Sequence, residues 1–130
     1  MIYLDTSAFL KTVLDEAESR AMRTYLDEHA SVTLVSSKLL AVESRRGLQR
    51  LRSARMPSLD ASLGDMTLIA ISDAVIDSAG RLPDPMLGSL DAIHLATALL
   101  IREDVDVLVS YDDRLTAAAA AHGLRTATPV

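Results

Sequence analysis

The chain opens with Met1-Ile2-Tyr3-Leu4-Asp5-Thr6-Ser7, a short apolar run that ends in an acidic residue and leads directly into a helical pattern. A run of this kind is typical of a buried β-strand, and the helix after it is typical of a parallel sheet. Ligands of parallel sheets bind beyond the carboxyl ends of the strands, so Asp5 occupies a position where functional residues are expected. The same position is that of a helix N-cap, for which aspartate is also favoured.

The rest of the chain repeats this alternation of short strands and longer helices. Strands are predicted at Met1–Leu4, Val32–Val35, Met66–Ile71, Val105–Val109 and Leu124–Ala127. Helices are predicted at Ser7–Leu14, Glu16–Glu28, Ser37–Arg52, Asp73–Ala79, Ser89–Arg102 and Asp113–Ala121. No repeat or long linker divides the chain, so we expect one domain over residues 1–130. The alternation predicts an α/β fold with a central, mostly parallel sheet that helices cover on both faces.

Composition limits the class of protein. The 130 residues are 49% hydrophobic, which is enough apolar surface for one sizeable core. Cysteine is absent, so a disulfide framework and a zinc thiolate site are excluded, and a reducing cytoplasm is the expected location. The charge at Asp5 comes too early for a signal peptide, and the longest uncharged apolar stretch, Ala92 to Ile101, is too short to span a membrane.

Four acidic residues stand where this fold would bring them together: Asp5 after the first strand, Glu43 on a helix, Asp91 at the start of another helix, and Asp112 after the last long strand. Carboxylates about 4 Å apart repel by roughly 4 kcal/mol per pair at an effective dielectric near 20. A site that keeps four of them therefore requires a cation or protonation. All-oxygen donors of this kind favour Mg²⁺.

Each acidic residue also has a purely structural interpretation. Asp5 and Asp112 both precede helices and are candidate N-caps, and Asp91 is a first-turn residue after Ser89, itself a candidate cap. Glu43 interrupts an apolar helical stripe, so it either faces a wet cleft or pairs with Arg46 one turn away.

His94 lies three positions after Asp91 in an apolar helix. The Asp-x-x-His spacing suggests metal binding, but a di-iron bundle would need a second such motif and long helices. A histidine in the core or at the edge of a cleft is the favoured interpretation of His94.

The charge is unevenly distributed. The formal net charge is −5, yet five of the thirteen basic residues fall within eleven positions, namely Arg45, Arg46, Arg50, Arg52 and Arg55. Without this segment eight bases oppose eighteen acids, giving −10. The segment is either a solvated helix face or a basic ridge that guides a phosphate backbone toward the acidic pocket.

The order of these pieces resembles the PIN-domain ribonucleases, in particular the VapC-type toxins of prokaryotic toxin–antitoxin pairs. The matching pieces are Met1–Ser7, Glu43 in the helix after the second strand, Ser89–Ala98 and Val109–Leu115. The resemblance implies a three-layer α/β/α fold, a Mg²⁺ or Mn²⁺ cofactor and endonucleolytic cleavage of RNA. It further implies a homodimer in the prokaryotic cytoplasm that a cognate VapB-type antitoxin inhibits.

The resemblance also implies roles for individual residues. Asp5, Asp91 and Asp112 look like metal ligands, and Glu43 completes the site directly or through a water molecule. Thr6 or Ser7 is expected to orient Asp5 while capping the first helix. Asp113 lies next to the site; of the doublet Asp112 and Asp113, Asp112 is the favoured ligand, and whether Asp113 also reaches the metal stays open. Arg45, Arg46, Arg50 and Arg52 are candidate RNA-binding residues.

Other functions fit the sequence less well. A phosphatase of the haloacid dehalogenase type would need a second aspartate where this chain has Ser7, and a response-regulator receiver would need a lysine after the last long strand, whereas the two lysines are Lys11 and Lys38. Two alternatives stay closer to the resemblance. One is a housekeeping PIN nuclease without an antitoxin, and the other is a non-catalytic PIN-like module that binds RNA or protein.

Overall fold

The computed structural model describes residues 1–130 and contains one sheet in which every pair of neighbouring strands is parallel. Its five strands are β1 (Ile2–Leu4), β2 (Leu34–Ser37), β3 (Thr67–Ile69), β4 (Val107–Val109) and β5 (Thr126–Ala127). They lie in the order β3-β2-β1-β4-β5, which makes the amino-terminal strand the centre of the sheet. The predicted α/β fold with a central parallel sheet is confirmed.

Seven helices connect the strands. They are α1 (Thr6–Val13), α2 (Ser19–Glu28), α3 (Leu39–Arg50), α4 (Met56–Gly64), α5 (Asp73–Gly80), α6 (Ser89–Leu100) and α7 (Asp113–Ala121). Six of them were predicted with ends that agree to within three residues. Gly123, which follows the last helix, has a φ of +88°, a backbone conformation that glycine adopts without strain.

The helix α4 was not predicted, because its apolar pattern is sparse. Only Leu59 and Leu63 are buried, and they are one turn apart. The helix nevertheless carries two ordinary boundary signals, Pro57 in its first turn and Gly64 as its last residue. Its existence is decided by the core that these two leucines join.

The second strand lies two residues later than predicted. The apolar run ends at Val35, but Ser36 and Ser37 continue the strand, fully buried, and pair with Leu68 and Ile69 of β3. Helix α3 consequently begins at Leu39 rather than Ser37. A buried serine in a strand gives no hydrophobic signal, which explains the error.

Two apolar clusters occupy the two faces of the sheet. In β1, Ile2 and Leu4 point into the cluster formed with α1, α2, α3 and α4, whereas Tyr3 points into the cluster formed with α6 and α7. Helix α5 packs against α6. This alternation within one strand confirms the predicted three-layer α/β/α arrangement. None of the helices is both long enough and apolar enough to cross a membrane.

Because all strands run in the same direction, their carboxyl ends share one edge of the sheet. Asp5 follows β1 and Ser110 follows β4, and the backbone N–H of Asp5 donates to the carbonyl of Val109 at 3.2 Å. The residues just after two neighbouring strands are therefore held side by side, at the edge where parallel sheets bind ligands.

Candidate active site

Asp5 is the buried centre of this edge. Only 3% of the residue is exposed, and its side chain caps α1 by accepting from the Ala8 N–H at 2.9 Å. Burial raises the pKa of Asp5, although hydrogen bonds from Ser110, Ala8 and Ser7 oppose the rise. The interpretation of Asp5 as a helix N-cap is correct. The prediction that Thr6 or Ser7 caps the first helix is wrong, because Asp5 does so.

Two serine hydroxyls hold the Asp5 carboxylate from both sides. Ser7 donates to its two oxygens at 2.7 and 2.9 Å, and Ser110 donates to Oδ2 at 2.5 Å. The Ser110 hydroxyl in turn accepts from the backbone N–H of Asp112 at 2.9 Å. Ser7 is thus the residue that orients Asp5, as one of the two predicted candidates, and Ser110 links Asp5 to the backbone of Asp112.

Glu43 reaches the same edge from α3. Its Oε1 accepts from Thr6 Oγ1 at 2.6 Å and bonds to His94 Nε2 at 2.7 Å. Burial alone would raise the pKa of Glu43, but the hydrogen bonds from His94 and Thr6 outweigh it and the pKa is lowered. The alternative of an ion pair with Arg46 is wrong, since no such contact exists. Thr6 donates its hydroxyl hydrogen bond to Glu43 and not to Asp5, so it orients Glu43.

Asp91 is the carboxylate with the fewest contacts. It lies half-buried in the first turn of α6, and neither of its oxygens has a hydrogen-bond partner in the protein. Its pKa is raised, first by burial and then by the negative charges of Asp112 and Asp5. The N-cap of this helix is Gly88 and not Ser89 as predicted, so no side chain of the cap accepts a hydrogen bond from the first turn.

Asp112 caps α7, as its position after β4 suggested. Its Oδ1 accepts from the N–H groups of Arg114 and Leu115 at 2.9 and 3.1 Å, while Oδ2 accepts no hydrogen bond. Asp113 is the exposed first residue of that helix. Of the two neighbouring aspartates, Asp112 is the half-buried one whose charge acts on Asp91.

The donors at this edge have the chemistry that a hard divalent cation requires. Oxygen atoms that accept no hydrogen bond remain on Asp91, on Glu43 (Oε2) and on Asp112 (Oδ2), and their mutual repulsion is what a cation would relieve. No three histidine, aspartate or glutamate side chains converge on a common coordination shell in this structure. The carboxylates therefore act on one another through their charges, and Asp5, Glu43 and Asp112 are each held in place by protein donors.

Two of the five arginines of the predicted basic ridge form ion pairs and three do not. Arg45 pairs with Asp60 of α4 at 3.1 Å, and Arg55 pairs with Asp15. The others, Arg46, Arg50 and Arg52, are exposed and have no ion pair. Arg46 and Arg50 stand three and seven positions after Glu43, on the same side of α3. Three free guanidinium groups thus lie on or just beyond the helix that supplies a site carboxylate.

Sequence reasoning missed the contributions of Ser110 and His94. His94 is 1% exposed, as expected for a core histidine, yet its ring nitrogen touches Glu43. The signal for it was the three-residue spacing from Asp91, which puts both side chains on one face of α6. Ser110 occupies after β4 the position that Asp5 occupies after β1, and this symmetry of neighbouring parallel strands was its signal.

The family match and the curated relatives of this chain agree with each other. The sequence matches the PIN domain family over residues 2–121. Curated relatives from Mycobacterium tuberculosis include Ribonuclease VapC46, which is 40% identical over 129 residues, 98% of this chain and 97% of the relative. Ribonuclease VapC35 is 36% identical over 131 residues, 99% of this chain and 97% of the relative.

Solved structures share the fold at low sequence identity. The M. tuberculosis VapC20 toxin, described as cleaving the sarcin-ricin loop, has a TM-score of 0.72 at 14% identity and covers 99% of this chain and 100% of its own. A toxin–antitoxin complex from Klebsiella pneumoniae has a TM-score of 0.72 at 18% identity, with coverage of 100% and 98%. With its carboxylates gathered at the carboxyl edge of a parallel sheet, and with relatives of this similarity over its whole length, the chain belongs to the PIN domain family, among its VapC members.

Proposed function

We propose that this protein is a Mg²⁺- or Mn²⁺-dependent endoribonuclease that acts as the toxin of a toxin–antitoxin pair. The observation that supports it most directly is the electrostatic state of Asp91, whose pKa is raised by burial and by the charges of Asp112 and Asp5. Such repulsion destabilises the folded protein, and a bound divalent cation would relieve it. The VapC relatives are named ribonucleases, which agrees with this function.

Asp5, Asp91 and Asp112 would hold the metal, with Glu43 acting directly or through a water molecule. When bound, the metal would supply positive charge to the phosphate oxygens that gain negative charge during hydrolysis. The hydrogen bonds with His94 and Thr6 keep Glu43 ionised and leave its Oε2 free to bind the metal or to orient an attacking water. Ser7 and Ser110 fix the rotamer of Asp5.

The RNA backbone would approach along α3. Arg46, Arg50 and Arg52 are the free cations beside Glu43, and the phosphates of RNA are the partner that such cations bind. Arg45, committed to Asp60, would contribute less than the sequence suggested. The acidic remainder of the protein repels RNA, so the arginines would also determine the direction of approach.

A VapB-type antitoxin is the proposed protein partner, in the cytoplasm of a prokaryotic cell. Several structures with this fold are toxin–antitoxin complexes, including VapBC2 from Rickettsia felis, described as bound to a DNA fragment from its promoter. The test is to express the chain with and without the product of the adjacent reading frame and to sequence the RNA ends. Growth arrest and cleavage that the neighbour abolishes are expected. Cleavage that is unaffected by the neighbour would favour a housekeeping nuclease.

The catalytic assignment is tested with Asp5→Asn. Asparagine retains one acceptor for the Ala8 N–H and fits between the two serine hydroxyls, so the fold is expected to survive. Cleavage of a labelled RNA in Mg²⁺ should fall by at least about 100-fold, and chelation of the metal should abolish wild-type cleavage. The matched control is Asp27→Asn, which removes an exposed carboxylate on α2. Wild-type cleavage by folded Asp5→Asn protein would refute the assignment.

A further inference from the structure

A chain of buried hydrogen bonds crosses the sheet behind the carboxylates. The hydroxyl of Tyr3 lies 2.8 Å from His94 Nδ1, and His94 Nε2 lies 2.7 Å from Glu43 Oε1. Tyr3 is fully buried and His94 is 1% exposed, and their rings meet edge to face with centroids 5.9 Å apart. None of these three residues is near another in the sequence, so the contacts exist only in the folded protein.

The neighbours of Tyr3 and His94 favour one direction for each of these hydrogen bonds. The Tyr3 oxygen accepts from the backbone N–H of Ser37 at 3.1 Å, and its own proton is placed to be donated to Nδ1 of His94, 2.8 Å away. The nearby Ser36 hydroxyl is buried but forms no hydrogen bond.

A histidine that accepts at Nδ1 must carry its proton on Nε2. That proton points at Glu43 Oε1, which as a carboxylate oxygen can only accept. Thr6 Oγ1 donates to the same oxygen at 2.6 Å. Two donors therefore occupy Oε1 and hold the carboxylate in one orientation, leaving Oε2 for the site.

We propose that His94 is a positioning residue for Glu43, and that Tyr3 sets its Nε2–H tautomer. Tyr3 lies two residues before Asp5 on β1, and His94 lies one turn after Asp91 on α6. The hydrogen bonds from Tyr3 to His94 and from His94 to Glu43, called the relay below, thus connect the elements that carry Asp5 and Asp91 to the helix that carries Glu43. This inference rests on the proposed nuclease function, because Glu43 needs a fixed orientation only if it takes part in a reaction.

The tautomer is read directly from the metal-free wild-type protein. Long-range ¹H–¹⁵N correlation spectra distinguish the protonated from the unprotonated ring nitrogen of His94. We expect one species, with the proton on Nε2, and a mixture of tautomers in Tyr3→Phe, which removes the donor to Nδ1 together with the acceptor of the Ser37 N–H. A proton on Nδ1 in the wild type, or an unchanged spectrum in Tyr3→Phe, would overturn the proposal.

The positioning role is tested by a pair of amides. In His94→Gln the amide nitrogen lies close to the place of Nε2 and can still donate to Glu43. In His94→Asn it lies close to the place of Nδ1 and faces Tyr3 instead. We expect His94→Asn and Tyr3→Phe to lower kcat for RNA cleavage about 10- to 100-fold with little change in KM, and His94→Gln to recover most of the loss.

The control is Ser44→Ala. Ser44 is buried on α3 next to Glu43, but its hydroxyl bonds only to the carbonyl of Leu40, so kcat should stay close to that of the wild type. Equal kcat values for His94→Asn and His94→Gln in proteins of equal thermal stability would contradict the positioning role.

A second measurement separates this inference from the proposed function. The ¹³C shift of the Glu43 carboxyl should move in His94→Asn and remain in place in His94→Gln, whether or not the protein cleaves RNA. If the wild type cleaves no RNA while the tautomer and the carboxyl shifts behave as expected, the proposed function fails and the relay stands. If RNA is cleaved but the carboxyl shift is the same in all variants, the relay fails and the function stands.

Discussion

At the scale of single residues, structural and functional interpretations of the acidic side chains are compatible. Asp5 and Asp112 are N-caps, as their positions suggested, and they still lie at the carboxyl edge of the sheet, where parallel sheets bind ligands. A carboxylate has more acceptor capacity than one cap uses, so Asp112 retains Oδ2. Asp91 caps nothing and bonds to nothing, which makes it the residue whose presence is least explained by stability.

Replacing Asp91 with asparagine should separate stability from function. In the metal-free protein Asp91→Asn removes a repelled, half-buried charge, so the melting temperature should rise. Solvent screening of this half-exposed group keeps the gain on the order of 0.5 kcal/mol, about 2 °C. Mg²⁺ should stabilise the wild type by binding the folded state, and this stabilisation should largely disappear in the variant.

Calorimetry in chelator and in Mg²⁺ measures both effects, with Asp27→Asn as the control that changes neither. A lower melting temperature for Asp91→Asn in chelator would mean that the carboxylate has a stabilising partner and that the repulsion argument is wrong. Equal Mg²⁺ stabilisation of variant and wild type would remove Asp91 from the metal site.

At the scale of elements, α3 combines opposite charges on one helix. Glu43 points to the site, and the unpaired cations Arg46 and Arg50 follow on the same side of the helix, with Arg52 just beyond its end. Gly47 lets this helix approach α1 closely, since a Cβ there would lie 3.3 Å from Leu10 Cδ1. The close approach brings Thr6 of α1 within reach of Glu43.

The unpaired arginines should determine the salt dependence of RNA binding. In the inactive Asp5→Asn protein, a further Arg50→Gln change should weaken binding and reduce the slope of log K against log salt by about 0.7. Changing Arg46 as well should reduce it by about 1.4 in total. The matched control is Arg125→Gln, because Arg125 precedes β5 and lies at the opposite edge of the sheet.

Fluorescence anisotropy at several salt concentrations gives these slopes. If Arg50→Gln and Arg125→Gln reduce the slope equally, net charge explains binding and the arginines of α3 are an ordinary solvated helix face.

A second ionic contact joins elements on the α1 side of the sheet. Asp15, between α1 and α2, pairs with Arg23 of α2 at 3.0 Å and with Arg55 at the start of α4. Hydrogen bonds and charges from these arginines hold the pKa of Asp15 below its usual range. A depressed pKa means that the folded state binds fewer protons than the unfolded state, so the contact stabilises at neutral pH.

Replacing Asp15 with asparagine should therefore lower the melting temperature at pH 7. The difference from the wild type should persist down to about pH 4, near the ordinary aspartate pKa, and should fade as the pH falls further through the depressed pKa. Thermal melts across this range test the sign, and added salt should shrink the difference because the groups are exposed. A difference that grows as the pH falls would contradict the assignment.

At the scale of the whole molecule, the parallel sheet is what assembles the site. Five strands with one direction have one carboxyl edge, and the central position of β1 puts Asp5 in the middle of that edge. Both core clusters contain residues of β1, so the strand that carries Asp5 at its end is packed on both faces of the sheet. The exposed surface also contains large apolar side chains, among them Met86, Val42 and Leu51, which are 71%, 61% and 62% exposed.

We expect the protein to associate as a homodimer, since burying apolar side chains of this kind is favourable and the family resemblance implies a dimer. Light scattering at micromolar concentration should give a mass of about twice the 14.0 kDa of one chain. A mass of one chain that does not change with concentration would show that the isolated toxin is a monomer.

The sequence by itself determined the elements and the chemistry of the candidate site. Short apolar runs, helical periodicity and turn residues are local signals, and they sufficed for the α/β class and for six of seven helices. Local signals also identified the acidic residues after β1 and β4, because the place after a strand is defined within a few positions. They failed for α4 and for Ser36 and Ser37, whose burial depends on what packs against them.

Only the tertiary structure decided which polar groups are partners. Thr6 meets Glu43 across 37 positions of sequence, His94 meets Glu43 across 51, and Tyr3 meets His94 across 91. Hydrogen bonds require distances near 3 Å, and such distances between remote residues follow from how the helices pack on the sheet. A sequence names the donors and acceptors, but the packing selects their pairs, which is why Glu43 bonds to His94 and Thr6 instead of Arg46.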